Sequence, residues 1–173
     1  MINKKKTKLE IAESFIKQAR QGDLNKISVK SICDDVGIAR QSFYYHFEDM
    51  NDLVEFCVDF ANQDLSLKMI NAQSIEEALT YFYRVIKENY DIIRKVFDSP
   101  FRLRNQDKFI LLLRDYLQIA VSKKVIEPRI SLDELDIYKT YHSLAILGSC
   151  LYAAYHDVDE KEFIRSLVDI LTK

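Results

Sequence analysis

The sequence predicts an all-α protein, and three observations support that prediction. The chain has only 3 Gly and 2 Pro among 173 residues, which are too few for the many tight turns of a sheet-rich domain. Apolar residues recur at three- and four-residue spacing, the period of an amphipathic helix, along most of the chain. Residues 74–77 and 131–134 both read Ser-x-x-Glu, the sequence of a capping box at a helix N-terminus. We therefore expect about eight or nine helices and no β-sheet.

Three short helices are predicted in the first part of the chain, at residues 4–21, 29–36 and about 40–47. Ser28 stands where an N-cap residue would begin the second helix, and Gly37 stands where a C-terminal glycine would end it. Short turns therefore join all three helices.

Longer helices are predicted in the rest of the chain, over residues 49–70, 74–99, 105–124, 131–155 and 159–171. The second of them should end at Ser99, because Pro100 disfavours a helical conformation in the residue before it. No Gly/Ser-rich linker separates the two parts of the chain. We expect a first domain at residues 1–48 and a second at residues 49–173, joined rigidly.

Charge is unevenly distributed along the chain. The whole sequence has 25 Lys and Arg against 27 Asp and Glu, a net charge of −2. Residues 1–26 contain seven basic against three acidic residues, whereas residues 51–173 contain sixteen against twenty. A basic end on an otherwise acidic chain is typical of proteins that bind nucleic acid through that end.

The cysteines and the hydropathy pattern indicate a cellular compartment. Cys33, Cys57 and Cys150 are odd in number and widely spaced, which fits a reducing cytosol better than disulfide bonding. The first residues lack the pattern of a signal peptide, and the longest apolar stretch, residues 144–155, is shorter than the roughly 20 residues that span a bilayer. We expect a soluble, cytoplasmic protein with no membrane partner.

Residues 27–56 contain the pattern of a helix-turn-helix. Two short predicted helices meet at a tight turn at Gly37 and Ile38, and in such motifs the second helix enters the major groove of DNA. That helix carries side chains suited to DNA: Arg40, Gln41, Ser42, Tyr44, Tyr45 and His46. Arginine reads guanine and glutamine reads adenine, whereas hydroxyl groups and histidine reach phosphate oxygens. The alternative is a polar surface helix with two aromatic residues in the core.

Residues 5–53 resemble the DNA-binding domain of the TetR family of bacterial transcription regulators. The resemblance rests on the run SFYYHF at residues 42–47, on Gly37-Ile-Ala-Arg40 shortly before it and on Asp52-Leu53 after it. More distantly, residues 31–56 resemble a subgroup that includes activators of dihydroxyacetone kinase operons. The resemblance covers under a third of the chain and implies a dimer that reads the two half-sites of a near-palindrome in double-stranded DNA.

The resemblance implies a role for individual residues of the first domain. Ser28 would cap the second helix and touch phosphate, and Lys30 would reach a base edge or a phosphate. Apart from the resemblance, the N-terminal lysines Lys4, Lys5, Lys6 and Lys8 would add phosphate contacts, unless they form a solvated tail. The full set of predicted DNA contacts is Lys4, Lys5, Lys6, Ser28, Lys30, Arg40, Gln41, Ser42, Tyr44, Tyr45 and His46.

The sequence departs from the family pattern at three places. Ala39 stands where a Ser often caps the recognition helix, and the loss of a cap costs about 1 kcal/mol. Met50 stands where a Lys often meets phosphate, and Glu48 and Asp49 are acidic beside it. These departures predict weaker anchoring to the DNA backbone at the start of the fourth helix.

The second part of the chain contains no arrangement of residues typical of catalysis. No Ser or Cys stands with a His and an acid in the setting of a nucleophile, so we expect neither enzyme activity nor a cofactor. His156, Asp157, Asp159 and Glu160 have the composition of a metal site. Acidic residues at a helix start are more often caps, so we expect no metal.

Two binding surfaces are predicted in the second part of the chain. Aromatic residues with polar tips form either the walls of an effector pocket or a packed core: Tyr81, Tyr90, Phe109, Tyr116, Tyr138, Tyr141 and His142. Residues 144–155 are apolar around the whole helix, and a domain of this size has little room to bury them, which predicts a dimer interface. With the last helix, whose Phe163, Leu167 and Ile170 should point inward, that interface would include Ala145, Gly148, Ser149, Tyr152, Phe163 and Leu167.

These features together predict a homodimeric, sequence-specific DNA-binding regulator, with repression relieved by a small-molecule effector. A regulator whose signal is a partner protein is the alternative. A third possibility is an enzyme or scaffold that uses its helix-turn-helix only for packing.

Overall fold

The computed structural model describes residues 2–99 and 101–172, with side chains described from Lys6 onward. Over these residues the chain forms α-helices, one 3₁₀ turn at Leu24–Lys26 and no strand, so the all-α prediction is confirmed. The helices are α1 (Ile2–Gln21), α2 (Val29–Val36), α3 (Arg40–His46), α4 (Met50–Asn71), α5 (Ile75–Glu88), α6 (Tyr90–Phe97), α7 (Arg102–Ser122), α8 (Leu135–Tyr155) and α9 (Glu160–Leu171).

Local signals place the ends of α2 as the sequence predicts. The Ser28 hydroxyl accepts a hydrogen bond from the Ser31 N–H, and the Ser31 hydroxyl accepts one from the Ser28 N–H, both at 3.1 Å. Gly37 ends the helix with φ of 76°, in the left-handed region that favours glycine, and donates its N–H to the Cys33 carbonyl at 2.9 Å.

The single helix predicted over residues 74–99 is wrong, because the structure has two helices there. The first ends at Glu88 and the second begins at Tyr90. Between them, Asn89 has φ of −114° and ψ of 17°, away from helical values, and both its N–H and its side-chain amide donate to the Val85 carbonyl, at 3.2 and 3.0 Å. Pro100, which was expected to end the helix, lies outside the described residues.

The capping box predicted at Ser131 is only half formed and does not begin the helix. The Ser131 hydroxyl and its N–H both donate to the carboxylate of Glu134, at 2.8 Å, so the hydroxyl does not accept from the Glu134 N–H. Residues 132–134 form a turn, and the helix begins at Leu135. The box at Ser74 does cap its helix, since the Ser74 hydroxyl accepts from the Glu77 N–H at 3.1 Å.

The helices form two compact units. The first comprises Met1–Ala61 and Asp91–Asn105, and the second comprises Asn62–Tyr90 and Gln106–Lys173. The first unit thus includes α6 and the start of α4 as well as the three N-terminal helices. The domain boundary expected at residue 48 stays a prediction.

The core of the first unit is built from apolar residues of five helices. Its buried members are Ile11, Ala12, Phe15, Ala19, Leu24, Ile32, Cys33, Phe43, Phe47, Leu53, Val54 and Val96. Phe43 and Phe47 of the α3 segment are fully buried in it. Since burial of a Phe side chain stabilises by about 1.5–3 kcal/mol, this core fixes the position of α3.

In the second unit, two ion pairs join α5 to the start of α9. The Arg84 guanidinium donates to both carboxylate oxygens of Glu160, with its shortest contact at 2.6 Å, and Lys87 Nζ lies 2.8 Å from Asp157 Oδ1. Asp159 caps α9 by accepting the Glu162 N–H at 3.0 Å. The acidic cluster weighed as a metal site therefore consists of a helix cap and two ion-pair partners.

Two kinds of feature are missing from the part of the chain that is described. No group of three or more His, Cys, Asp or Glu residues there is placed to hold a metal ion. None of the described helices combines the length and the apolar character that a membrane span requires.

Candidate nucleic-acid interface

Helix α3, the predicted recognition helix, is short and has no side-chain cap. It spans Arg40–His46, and Ala39 at its N-cap position makes no capping hydrogen bond, as the sequence predicts. An isolated helix of this length is unstable in water, since helices shorter than about 12 residues are marginal. Burial of Phe43 and Phe47 on one side of the helix therefore holds it in place.

The opposite side of α3 presents the predicted DNA-reading residues to solvent. Arg40 and Gln41 are exposed, and Tyr44 and Tyr45 are 57% and 67% exposed. Because residues four apart in a helix are neighbours, Arg40 with Tyr44 and Gln41 with Tyr45 form two adjacent rows. The structure thus brings four of the predicted residues together on one face.

An open groove of about 510 Å³ runs beside this face. It is lined by Thr7, Ile38, Ala39, Gln41, Ser42, Tyr45 and His46. Ser42 and His46 are half-buried, so they belong to the groove wall rather than to the outer face. Hydroxyl and imidazole groups in a groove that opens to solvent suit a phosphate oxygen.

A polar network fixes α2 against α1. The Gln18 amide donates to the Ser31 carbonyl at 3.3 Å, and the Ser31 hydroxyl donates to Gln18 Oε1 at 2.8 Å. Ser14 and Lys17 donate to the two carboxylate oxygens of Asp35, at 2.7 and 2.8 Å. The bond from Lys17, followed by the one from Ser14, lowers the pKa of Asp35 below its usual value.

The N-terminal lysines and Lys30 fall into three groups. Lys30 is exposed, and Lys6 is exposed in an ion pair with Glu10, with Nζ 3.8 Å from the carboxylate. Lys4 and Lys5 belong to α1, but their side chains lie outside the described residues. Lys8 Nζ instead lies 4.8 and 4.3 Å from the ring centres of Phe47 and Phe56, as a cation–π contact.

The acidic residues at the start of α4 serve the helix itself. Asp49 Oδ1 accepts the Asp52 N–H at 2.9 Å, and this bond lowers the pKa of Asp49. Asp52 in turn accepts the Glu48 N–H at 3.0 Å. Met50, which replaces the expected lysine, is half-buried and packs against the core. Carboxylates thus occupy N–H groups that a DNA phosphate would otherwise use.

The seven residues predicted as an effector pocket lie in different environments. Phe109 and Tyr116 are buried, and burial raises the pKa of Tyr116 to about 12. The Tyr81 hydroxyl donates to Glu77 Oε1 at 2.7 Å, and the Tyr138 hydroxyl donates to the Leu171 carbonyl at 3.2 Å. Both hydroxyls therefore have partners within the chain.

The other predicted pocket residues lie nearer the surface. Tyr90 is half-buried and Tyr141 is 66% exposed. The His142 ring packs on Tyr138 with centres 4.2 Å apart, and burial lowers its pKa. A cavity of about 320 Å³ in the second unit is lined by residues between Val121 and Leu135, none of which belongs to the predicted set. The pocket assignment stays a prediction.

Helix α8 has an exposed apolar face. Its exposed large residues are Ile137, Tyr141, Leu144, Tyr152 and Tyr155. Their spacing of three, four, seven or eight residues puts them on one side of the helix, together with the exposed Ala145 and Gly148. An exposed apolar surface of this kind is typical of an interaction site.

The remaining predicted interface residues are more enclosed. Ser149 and Phe163 are half-buried, and Leu167 is buried within the single chain. Ile170 was expected to point inward but is 63% exposed, which is a correction. The interface assignment itself stays a prediction.

Comparison with solved structures identifies the fold. A TetR transcriptional regulator from Streptococcus agalactiae 2603V is similar with a TM-score of 0.75 and 18% identity, over 99% of this chain and 96% of that chain. The dihydroxyacetone kinase operon activator DhaS is similar with a TM-score of 0.72 and 20% identity, over 95% and 93%. The chain has the TetR fold. No protein-family model matches the sequence, and no curated protein matches it by sequence.

A third structure with the TetR fold was solved with a ligand. It is the transcriptional regulator FadR from Bacillus subtilis in complex with stearoyl-CoA, similar with a TM-score of 0.65 and 10% identity, over 95% of this chain and 97% of that chain. The likeness again concerns the fold.

Sequence reasoning missed several residues that shape the interface. Gln18 holds the cap of α2, but its partner Ser31 is 13 residues away, so no local pattern reveals the contact. Thr7 lines the groove only because α1 lies beside α3. Lys8 could not be told from the other N-terminal lysines, since its aromatic partners are distant in sequence.

The missing cap of the recognition helix gives a testable prediction. Ala39→Ser should raise the free energy of unfolding by about 0.5–1 kcal/mol, because a serine at this position accepts a hydrogen bond from the first turn. Chemical denaturation of the full chain measures the change.

Ala39→Val is the matched control, because it adds bulk at the same site without an acceptor. It should not raise the free energy of unfolding. Equal effects of serine and valine would mean that the substitution acts by packing, contrary to the expected cap.

Proposed function

We propose that this protein is a dimeric, sequence-specific DNA-binding transcriptional regulator that represses its target until a small molecule is bound. The observation that carries the proposal is the exposed face of α3, where Arg40, Gln41, Tyr44 and Tyr45 stand together on a helix held from behind by buried aromatic rings. The TetR fold supports it, since solved structures similar to this chain include transcription regulators.

The two ends of α3 have different roles in recognition. Arg40 and Gln41, at the N-terminal end of the helix, carry the groups that pair with guanine and adenine edges in the major groove. Tyr44 and His46, with Ser28 and Lys30, contact the phosphate backbone and so fix position rather than sequence preference. A protein with this task works in the cytoplasm of a bacterium, where the DNA is.

Removal of the base-reading arginine tests the proposal. Arg40→Ala should weaken binding to the DNA upstream of the protein's own gene by about ten- to a hundredfold, because a bidentate base contact contributes about 1–3 kcal/mol. Fluorescence anisotropy against that fragment and against a scrambled fragment of equal length measures both affinities.

Two further variants sharpen this experiment. Arg129→Ala removes the same charge from an exposed position of the second unit and should leave binding unchanged. Tyr44→Phe removes one hydroxyl without changing charge. It should therefore weaken binding to both fragments equally and leave unchanged the slope of log affinity against log salt concentration. A wild-type protein that binds both fragments equally would exclude a sequence-specific regulator.

We also propose that the exposed face of α8 is the dimer interface. Gly148 lies in the middle of this helix, where a glycine costs about 1 kcal/mol relative to alanine. A Cβ placed there would meet no atom within 4 Å, so packing inside the chain does not require glycine. Close approach of a second copy of the chain would explain why this residue is glycine. Two such faces would pack about a two-fold axis.

Gly148→Leu tests the interface. The larger side chain should separate the paired helices and raise the dimer dissociation constant at least about tenfold, by analogy with overpacked cores that lose 1–3 kcal/mol. Analytical ultracentrifugation over a concentration series measures the constant.

Gln63→Leu adds the same side chain to an exposed position of α4 and should leave the dimer unchanged. An unaltered dissociation constant for Gly148→Leu would place the interface elsewhere.

An effector site in the second unit is supported by buried polar atoms that lack partners. Among the described residues these include Asn62 Oδ1, Tyr83 OH and Ser143 Oγ, which come from α4, α5 and α8. A buried polar atom without a hydrogen bond costs about 1–3 kcal/mol, and a ligand with complementary groups would recover that energy. A ligand bound more tightly to a state with the wrong half-site spacing would then shift the protein away from DNA.

Thermal stability distinguishes a small-molecule signal from a protein signal. Dihydroxyacetone and stearoyl-CoA are the first probes, because both chemistries are named with neighbours of the same fold. A true effector present at about a hundred times its Kd should stabilise the chain by about 2.7 kcal/mol.

Ser143→Ala should reduce that stabilisation, whereas Ser122→Ala, at an exposed position, should not. No stabilisation by metabolites, together with a stoichiometric protein partner in a pull-down, would favour the alternative in which a protein carries the signal.

A further inference from the structure

The end of α1 is capped by a residue far along the chain. Lys95 of α6 donates from Nζ to the carbonyls of Ala19 and Gly22, both at 2.8 Å. These carbonyls belong to the last turn and the end of α1, where helical carbonyls lack intrahelical partners and the helix dipole is negative. An ammonium that bonds to two of them is a cap supplied from another helix.

The position of Lys95 is itself fixed by the core. Its neighbour Val96 is buried in the same apolar cluster as Phe15 of α1, and Ile92 and Phe97 pack against that cluster. The lysine stem is half-buried. The ammonium therefore reaches the end of α1 from an anchored helix rather than from a free surface.

From α1 the contacts continue to the cap of α2. Gln18 precedes Ala19 directly, and its side chain exchanges hydrogen bonds with Ser31 at 3.3 and 2.8 Å. The Ser31 N–H donates to the Ser28 hydroxyl at 3.1 Å. Ser28 begins the helix that leads into the turn before α3. A displacement of the last turn of α1 would therefore move Gln18 and disturb the start of α2.

We propose that Lys95 is a positioning residue for DNA binding, which acts through the end of α1 and the Gln18–Ser31 pair on the helix-turn-helix. It has no assigned contact with DNA. The role in DNA binding rests on the proposed function, whereas the connection between Lys95 and the cap of α2 is a property of the first unit alone.

The affinity test uses the whole chain and two substitutions of Lys95. Lys95→Met keeps the length of the stem and removes the donor, whereas Lys95→Arg keeps a cation with donors. Lys95→Met should weaken binding to the DNA upstream of the gene at least about tenfold more than binding to a scrambled fragment, because misplaced helices lose base contacts first. Lys95→Arg should restore most of the wild-type preference for the upstream fragment over the scrambled one.

Arg94→Met is the matched control. Arg94 is the adjacent residue, lies 3.5 Å from Asp98 in a surface ion pair and would lose the same charge. It should bind both fragments as the wild type does. Equal losses for Arg94→Met and Lys95→Met would show a general charge effect and overturn the positioning role.

Hydrogen exchange without DNA tests the connection separately. The Ser31 amide should exchange at least about fivefold faster in Lys95→Met than in Arg94→Met, while the amides of α9 keep their rates, which separates a local change from general destabilisation. Unchanged exchange at Ser31 would overturn the inference by itself. A wild-type protein without specific DNA binding would overturn the proposed function, so the two failures are distinguishable.

Discussion

The candidate DNA-reading surface depends on the burial of two phenylalanines. Helix α3 has seven residues and no side-chain cap, so its own backbone bonds cannot keep it helical in water. Phe43 and Phe47 are fully buried among side chains from α1, α2 and α4. Because they occupy one side of the helix, the other side faces solvent, and Arg40, Gln41, Tyr44 and Tyr45 are presented there together. The same burial that stabilises the unit therefore orients Arg40 and Gln41.

Charges in the first unit have separate structural and surface roles. Lys8 lies over aromatic rings, Lys95 caps a helix, and the carboxylate of Asp49 accepts an N–H of the first turn of α4. The net charge of a segment therefore overstates how much positive charge is available to contact DNA. Lys30 and Arg40 remain exposed and carry the proposed attraction to phosphate and base. Position, rather than the count of charges, distinguishes the two roles.

Features set by nearby residues could be predicted, and features set by distant residues could not. The ends of α2, the cap at Ser28 and the missing cap at Ala39 are all as predicted, because a cap involves residues within one turn. The break at Asn89 was missed because the apolar spacing runs on through this residue, and only its backbone angles, φ of −114° and ψ of 17°, reveal the break. At Ser131 the hydroxyl donates to the Glu134 carboxylate instead of accepting the Glu134 N–H. The Ser-x-x-Glu motif alone therefore did not determine where the helix begins.

The amino-acid sequence by itself determined the helical class, the helix-turn-helix and the identity of the residues on the recognition helix. Periodicity and capping act over about four residues, so they are written in the local sequence. The tertiary structure decided which of those residues are exposed, that Gln18 holds Ser31, and that Lys95 caps a helix 73 residues earlier in the chain. These contacts join segments that are distant in sequence, and only the packing of the helices brings their polar atoms within hydrogen-bond distance.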